Sequence, residues 1–169
     1  FPVVAKVVSP EVIHKTEVSG VEVGIQTPEE VEEAFARFSG INGFAGMLVE
    51  QMIEGTELIV GAKTDSQFGP VVLIGMGGVG VEIYQDSSIR MAPLRENDVK
   101  SMVSQLKARQ LIEGFRGSEA VNMKKLTELV IRFSELAVEL EEEFESIDLN
   151  PVICTGDRCV IADARIILK

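Results

Sequence analysis

Polar residues near the C-terminus have the types and spacing of a divalent-cation site. Asp148 and Asn150 precede Pro151, and Asp163 lies further along in an apolar stretch. If these stretches form a hairpin, Asn150 and Asp163 lie opposite each other, and oxygen ligands without His or Cys suit Mg²⁺ that bridges substrate phosphates. A polar cross-strand pair at a sheet edge explains the same pattern equally well, so both interpretations stay open here.

The one histidine of the chain, His14, lies in the polar stretch His14-Lys15-Thr16, shortly before Gly20. Lysine and hydroxyl neighbours suit a phosphate, and Gly20 would let the backbone bend towards a ligand. Imidazole can also act as a covalent nucleophile towards phosphoryl groups. A lone histidine is nevertheless more often a surface or structural residue than a catalytic one. Because there is only one, a His-rich metal site and a His dyad are excluded.

Lys6 and a group of glutamates are further candidates. Lys6 interrupts the apolar, β-branched run from Pro2 to Val8. A buried lysine there needs a carboxylate or a bound phosphate, whereas a lysine that reaches solvent at an edge is at least as compatible with the pattern. Glu50, Glu54 and Glu57 surround a predicted turn, where solvated acidic residues are ordinary, but apolar residues flank Glu50 closely.

The glycine-rich segment from Gly75 to Gly80 has the pattern G-x-G-G-x-G after a predicted strand. A dinucleotide-binding fingerprint needs a helix next, whereas Val81 to Tyr84 predicts a strand, which argues against that fold. A loop that approaches a ligand through its backbone and a merely flexible connection remain equal alternatives. Cys154 and Cys159 flank a predicted turn, and without companion ligands they are more simply two ordinary thiols than a zinc site.

Hydrophobic periodicity predicts the elements that position these residues. A helix begins after Thr27, which can cap it, with Pro28 at the first helical position and Glu30 closing a capping box, and it stops at Gly40. The predicted strands cover 2–8, 21–25, 47–53, 58–62, 71–74, a hairpin over 83–91, 147–154 and 159–167, and the later helices lie near 99–106, 111–112 and 123–142. This order predicts an α+β fold of mostly antiparallel sheets with flanking helices.

Composition limits the class of protein. The 169 residues suit one domain, or two small lobes that share a core, and exclude a multidomain enzyme. With 27 acidic and 16 basic residues the formal charge is −11, which argues against nucleic acid as the main partner. Hydrophobic residues make up 46%, too many for a disordered tail, and no apolar run is long enough to span a bilayer. We expect a cytoplasmic globular domain, and the start at Phe1 predicts a processed or trimmed piece.

Taken together, these segments resemble the ATP-grasp domain of ADP-forming acyl-CoA (acetyl-CoA) synthetases. The motifs that carry the resemblance follow in unbroken order over essentially the whole chain: Phe1 to Lys6, Ser9-Pro10 to Thr16, Gly20-Val21, Val60 to Lys63 with Asp65, Gln67 to Pro70, Gly75 to Glu82, Asp86, Arg90 with Ala92 to Leu94, Gly114 to Gly117, Asp148 to Pro151 and Asp163 to Arg165. A more distant similarity, in Val49-Glu50-Gln51 and the Asn150 and Asp163 pair, links the chain to the β-subunit of succinyl-CoA synthetase.

The resemblance implies a reversible reaction in which acyl-CoA, phosphate and ADP give the free acid, CoA and ATP. It implies that His14 relays the phosphoryl group and that Asp148 hydrogen-bonds the incoming phosphohistidine. The implied partner is a CoA-binding domain or α-subunit that carries a second phosphohistidine. An alternative that the resemblance allows is a regulatory or assembly module of a protein acetyltransferase, fused to a synthetase-like region.

The resemblance also implies the nucleotide contacts, with ATP or ADP as substrate and Mg²⁺ as cofactor. Lys6 would bind nucleotide phosphate, Glu50 and the backbone near Ile53 the adenine, and Glu57 the ribose. Asn150 and Asp163 would coordinate Mg²⁺. Backbone N–H groups of Gly20 and of the Gly77-Gly78 loop would approach phosphate.

The implied ATP-grasp fold has two lobes. On this basis residues 1–169 form one nucleotide-binding domain, with roughly 1–45 as the remainder of the first lobe and 46–169 as the second. Family domains begin earlier, so the N-terminal part of one lobe is expected to be missing.

Overall fold

The computed structural model describes residues 1–12, 18–78 and 86–169. Its backbone contacts divide the chain into two units, Phe1–Ile53 and Glu54–Lys169. Each unit has its own core of buried side chains.

The first unit consists of β1 (Val3–Val8), β2 (Val21–Ile25), α1 (Pro28–Phe38) and β3 (Gly46–Gln51). The strands form an antiparallel sheet in the order β2-β1-β3. Successive side chains of a strand point to opposite faces, and Ala5 and Val7 of β1 face α1, where they pack with Ala34 and Phe38. The other face of β1 therefore carries Lys6.

The boundary between the two contact-defined units lies after Ile53, whereas the lobe division expected near residue 45 stays a prediction. The boundary lies there because β3 pairs with β1 over its whole length, from Gly46 opposite Val8 to Gln51 opposite Val3. Periodicity identified β3 as a strand but did not identify its partner.

The predicted start of α1 is present, with one difference in the cap. Thr27 Oγ1 accepts a hydrogen bond from the Glu30 N–H at 3.2 Å, as expected of an N-cap residue. The Glu30 carboxylate accepts from the N–H of Gln26 at 2.8 Å, instead of from Thr27.

The second unit contains β4 (Thr56–Asp65), β5 (Gly69–Met76), β6 (Ser87–Met91), α2 (Glu96–Gln105), α3 (Arg109–Glu113), α4 (Met123–Glu139), β7 (Phe144–Cys154), β8 (Cys159–Ile161) and β9 (Ala164–Leu168). Its antiparallel sheet has the order β6-β5-β4-β7-β8, and β9 also pairs with β7. One face of this sheet packs against the helices through a buried core of Leu58, Val60, Val72, Ile74, Val99, Met102, Leu126, Val130, Ile147 and Val152.

The predicted α+β fold of antiparallel sheets with flanking helices is confirmed. The single last strand predicted over 159–167 is instead two strands, β8 and β9, interrupted at Ala162 and Asp163. The strand predicted at Val81 to Tyr84 lies outside the described residues. Among the helices that the structure describes, none has the length and apolar character needed to cross a membrane.

Candidate functional site

Lys6 and Glu50 form an ion pair on the face of the first sheet that is turned away from α1. Val4 lies directly opposite Glu50 in the β1–β3 ladder, and Lys6 is two residues further along β1, so the two charged side chains are diagonal neighbours on one face. Lys6 Nζ lies 2.8 Å from Glu50 Oε2, and the Lys6 side chain is only 13% exposed. Glu50 Oε2 is itself buried. The lysine that interrupts the apolar strand thus has a carboxylate partner, one of the two partners that the sequence predicted.

Gly20 and Ile53, the other candidates of the first unit, flank its sheet. Gly20 is buried, and its carbonyl accepts a hydrogen bond from the N–H of Val7 at 2.8 Å. Ile53 is half-buried just after β3. His14, with Lys15 and Thr16, lies outside the described residues.

Asn150 and Asp163 lie opposite each other, in the arrangement that the hairpin prediction required. The N–H of Asn150 donates to the carbonyl of Asp163 at 3.1 Å, and the N–H of Ala162 donates to the carbonyl of Pro151 at 3.0 Å. Asp163 occupies the interruption between β8 and β9, where its Oδ1 accepts from the N–H of Ala164 at 3.0 Å. Tight backbone pairing therefore places an amide and a carboxylate side by side.

The side chains of this pair are of the types that could hold a Mg²⁺ ion together with phosphate. Mg²⁺ prefers oxygen ligands and is commonly held by one or two carboxylates together with substrate phosphates and water. Among the residues that the structure describes, no three His, Cys, Asp or Glu side chains converge as a complete metal cage would require. The donor set of Asn150 and Asp163 consequently fits a cation that arrives with a nucleotide better than a permanently bound one.

Asp148 lies two residues before Asn150 on β7, between two neighbouring strands. It is opposite Gly61 of β4 and opposite Arg165 of β9. Partial burial raises the pKa of the Asp148 carboxyl; the Arg165 cation opposes the rise and the Asp163 carboxylate adds to it. The site thus combines a carboxyl that holds its proton more tightly than usual with a nearby guanidinium.

A cavity of about 550 Å³ adjoins Asp148 on the sheet of the second unit. Its walls combine aliphatic side chains, two glycines and a few polar groups, and they include Ile59, Gly61, Lys63, Val71, Leu73, Gly75, Asp86, Ser87, Ile89 and Asp148. Lys63 is not among the site residues predicted from the sequence. Its spacing of two from Gly61 within a strand is the signal that could have placed it on the same face as the cavity.

The glycine-rich segment packs closely against Glu57, the proposed ribose ligand. The N–H of Gly77 donates to the Glu57 carbonyl at 2.7 Å, and a Cβ at Gly77 would lie 2.8 Å from the Glu57 carbonyl carbon. Gly78 has a φ of +80°, which side chains rarely adopt, and its Cβ would lie 3.2 Å from Glu57 Oε2. Gly77 is thus required by close packing against the Glu57 backbone, a reason that neither alternative from the sequence included.

Asp86 belongs to the motif set but has a structural explanation. Its side chain is 6% exposed and accepts the backbone N–H groups of Lys107 at 2.7 Å and Ala108 at 2.8 Å. Its own carbonyl accepts from the N–H of Met76 at 3.1 Å. These bonds tie the chain before β6 to the turn that follows α2.

Comparison with known proteins gives consistent matches over the whole chain. A family model described as an ATP-grasp domain matches residues 1–168. The β-subunit of acetate–CoA ligase (ADP-forming) I from Pyrococcus furiosus is 39% identical over 176 residues, which cover 99% of this chain and 75% of that subunit. The acetate–CoA ligase (ADP-forming) I of Archaeoglobus fulgidus is 38% identical, and its match covers 99% of this chain but 25% of its own length.

A solved structure with the same fold is that of acetyl-coenzyme A synthetase 1 from Ca. Korarchaeum cryptofilum. It superposes with a TM-score of 0.88 at 44% identity, covering 100% of this chain and 77% of that one. That protein was solved in complex with coenzyme A and Mg-AMPPCP, with its phosphohistidine segment pointing towards the nucleotide-binding site. The present chain therefore spans about three quarters of the β-subunit-type relatives and a quarter of the longer ligase.

Proposed function

We propose, from the premise that this chain belongs to the ATP-grasp family, that it is the nucleotide-binding and phosphohistidine-relay portion of an ADP-forming acyl-CoA synthetase. The whole enzyme converts acyl-CoA, phosphate and ADP into the free acid, CoA and ATP, and the reaction is reversible. The portion described by this chain carries out the last transfer, from a phosphohistidine to ADP. The reaction belongs to the cytoplasm, where these nucleotides and CoA occur together.

The observation that carries the proposal is the backbone pairing of Asn150 with Asp163, which sets two oxygen ligands side by side two residues from Asp148. Phosphoryl transfer to a nucleotide requires neutralisation of the charge between the β- and γ-phosphates, and Asn150 and Asp163 would hold a Mg²⁺ ion that would supply it. Asn150 would contribute its amide oxygen and Asp163 a carboxylate oxygen.

The other proposed contacts assign one task to each residue. The Lys6 ammonium neutralises nucleotide phosphate, and the Glu50 carboxylate accepts a hydrogen bond from the adenine amino group, with the backbone near Ile53 completing that contact. Glu57 accepts hydrogen bonds from the ribose hydroxyls. The backbone N–H groups of Gly20 and Gly78 are offered to phosphate, whereas the Gly77 N–H, which the resemblance also assigned to phosphate, is already donated to the Glu57 carbonyl.

Asp148 and His14 are proposed to handle the phosphoryl group. His14 carries it on an imidazole nitrogen, and Asp148 accepts a hydrogen bond from the ring of the incoming phosphohistidine, so that the ring is held for in-line transfer. In the transfer the N–P bond breaks, and a new P–O bond forms to the terminal oxygen of ADP. The phosphoryl group reaches His14 from a second phosphohistidine on a CoA-binding domain or α-subunit, which is the proposed partner.

Labelling with ATP radioactive in its γ-phosphate tests the relay. With Mg²⁺ present we expect acid-labile, base-stable phosphate on the protein, and because His14 is the one histidine of the chain, phosphohistidine locates the label directly. The His14→Asn variant should lose essentially all of the label, because the covalent nucleophile has been removed.

Lys100→Met serves as the matched control, since it changes a charged residue in the exposed pair with Glu96. It should label like the unmodified chain. The assignment is contradicted if His14→Asn is labelled as strongly as the unmodified chain. It is also contradicted if the unmodified chain is not labelled either by itself or together with its CoA-binding partner.

A further inference from the structure

Cys154 and Cys159, the two cysteines of the chain, face each other across a hairpin. Cys154 ends β7, Cys159 begins β8, and the two are register partners. One position further towards the turn, the N–H of Thr155 donates to the carbonyl of Arg158 at 2.8 Å. Hydrogen-bonded and non-hydrogen-bonded pairs alternate in an antiparallel ladder, so the cysteines occupy a non-hydrogen-bonded position. At such positions the Cα atoms are typically about 4.5 Å apart, which is within the range that a disulfide spans.

The two thiols differ in burial and acidity in a way that gives them separate roles. Both are free, Cys154 is buried, and Cys159 is partly exposed. A hydrogen bond between them lowers the pKa of the Cys159 thiol, while the same bond and burial raise the pKa of the Cys154 thiol. The thiolate is the attacking species, so the accessible cysteine is also the better nucleophile.

The turn that joins the two cysteines is already held in place. The N–H of Asn122 donates to the Thr155 carbonyl at 2.8 Å and its Nδ2 to the Gly156 carbonyl at 3.1 Å. The N–H of Gly156 donates to Glu119 Oε2 at 3.0 Å. Because these bonds hold Thr155 and Gly156 and the cysteines are already register partners, joining the two sulfurs calls for side-chain rotation rather than rearrangement of the hairpin.

We propose that Cys154 and Cys159 form a reversible dithiol–disulfide site whose oxidant is a small-molecule disulfide of the glutathione disulfide class. The Cys159 thiolate attacks one sulfur of the oxidant, the oxidant's S–S bond breaks, and one thiolate leaves. Cys154 then gives up its proton and attacks Cys159 Sγ, the mixed S–S bond breaks, and the second thiol leaves. The protein loses two protons and two electrons, and the oxidant is reduced to two thiols. This assignment does not depend on the proposed nucleotide chemistry.

Equilibration of the whole chain with glutathione redox buffers, followed by acid quenching and intact-mass measurement, tests this site. We expect a monomeric product that lacks two hydrogen atoms, returns to the starting mass with excess reduced glutathione, and melts roughly 3–8 °C higher than the reduced chain. Before oxidation, a maleimide reagent should modify Cys159 at least about tenfold faster than Cys154, because its thiolate is more accessible and more populated.

Two matched variants keep the result interpretable. Cys159→Ser, at the half-exposed position, should not form the intramolecular product and should leave Cys154 slow to react. Cys154→Ser should stop at the mixed disulfide on Cys159. Three outcomes would overturn the proposal: stable mixed disulfides on both cysteines of the unmodified chain, disulfide-linked dimers as the main product, or equal rates of maleimide modification at the two cysteines. The maleimide comparison uses the unmodified chain and so does not depend on the folding of a variant.

Discussion

Lys6 shows how a single charged residue is accommodated in an apolar strand. Its neighbours Ala5 and Val7 are completely buried against α1, but the alternation of β1 sends the lysine to the opposite face. There the Glu50 carboxylate compensates part of the cost of its burial. In the proposed complex the same ammonium also faces a nucleotide phosphate, so one residue serves both stability and binding.

Replacement of Lys6 by methionine separates these two roles. Lys6→Met leaves the buried Glu50 Oε2 without its cation, and we expect a loss of about 1–2 kcal/mol in the free energy of unfolding, measured by urea denaturation. The double variant Lys6→Met/Glu50→Gln should recover part of that loss. ADP affinity, measured by calorimetry, should fall about 10- to 100-fold in both variants, because a charge-assisted contact to phosphate is missing.

Lys100→Met is again the matched control, since the exposed pair with Glu96 resembles the Lys6 pair in chemistry but not in burial. Its stability should change by less than about 0.5 kcal/mol and its ADP affinity not at all. Equal effects of the two lysine variants would refute the special role of Lys6.

The raised pKa of Asp148 predicts that the stability contributed by this residue decreases as the pH rises. Folding raises the pKa of its carboxyl, so the folded chain binds that proton more tightly than the unfolded chain. The stabilising contribution is therefore complete below the ordinary carboxyl pKa and is lost as the pH rises through the raised value. Asp148→Asn, measured in EDTA without nucleotide, should melt higher than the unmodified chain at neutral pH, and the difference should shrink in acid.

The same variant should transfer the phosphoryl group about 100-fold more slowly, because the amide positions the phosphohistidine ring poorly. Asp157→Asn is the control of opposite sign, since a hydrogen bond from Thr155 lowers the pKa of Asp157. It should melt slightly lower at neutral pH and transfer at the normal rate. A lower melting temperature for Asp148→Asn at neutral pH would contradict the pKa argument.

At the scale of elements, the region after β5 depends on one close contact with β4. The N–H of Gly77 meets the Glu57 carbonyl at 2.7 Å, and the space for a side chain is occupied by backbone atoms of Glu57, which do not move aside easily. The contact brings the proposed ribose ligand to the glycine-rich segment.

Gly77→Ala should therefore lower the free energy of unfolding by about 1–3 kcal/mol, the usual cost of forcing a methyl group into occupied space. Gly46→Ala is the matched control, because no heavy atom lies within 4 Å of its Cβ position and its φ is not strained. It should be neutral or slightly stabilising in the same chemical denaturation assay. A Gly77→Ala variant as stable as Gly46→Ala would show that the Glu57 contact yields without cost.

At the scale of the whole molecule, each unit of the chain has its own proposed nucleotide ligands, which can be tested separately. Lys6 and Glu50 belong to the first unit, whereas Glu57, Asn150 and Asp163 belong to the second. Only the contacts of the second unit are proposed to involve the metal ion, which allows the two contributions to be measured separately.

Calorimetry of ADP binding with Mg²⁺ or with EDTA measures the metal contribution. We expect removal of Mg²⁺ to weaken binding at least about tenfold, since the charges of the diphosphate are then poorly neutralised. Asn150→Ala and Asp163→Asn should bind ADP equally weakly under both conditions. Lys6→Met should bind ADP more weakly but keep the Mg²⁺ dependence. If Asp163→Asn also kept that dependence, Asp163 would be ruled out as a Mg²⁺ ligand.

The sequence by itself determined the features that depend on neighbouring residues. The cap of α1 follows from residues that are close in sequence, and the faces of β1 follow from the period of two of a strand. The pairing of Asn150 with Asp163 follows from a short connection that leaves little choice of register. The motifs in their order were also sufficient to indicate the family.

Tertiary structure alone decided which distant segments meet. Alternation assigns Lys6 to a face but does not name Glu50 as its partner, and β3 is equally regular whichever sheet it joins. The contact of Gly77 with Glu57 and the place of Lys63 beside the cavity depend likewise on the strand order of the second sheet. The physical reason is that a strand of period two specifies which side chains are buried, whereas its partner is chosen by the packing of the whole unit.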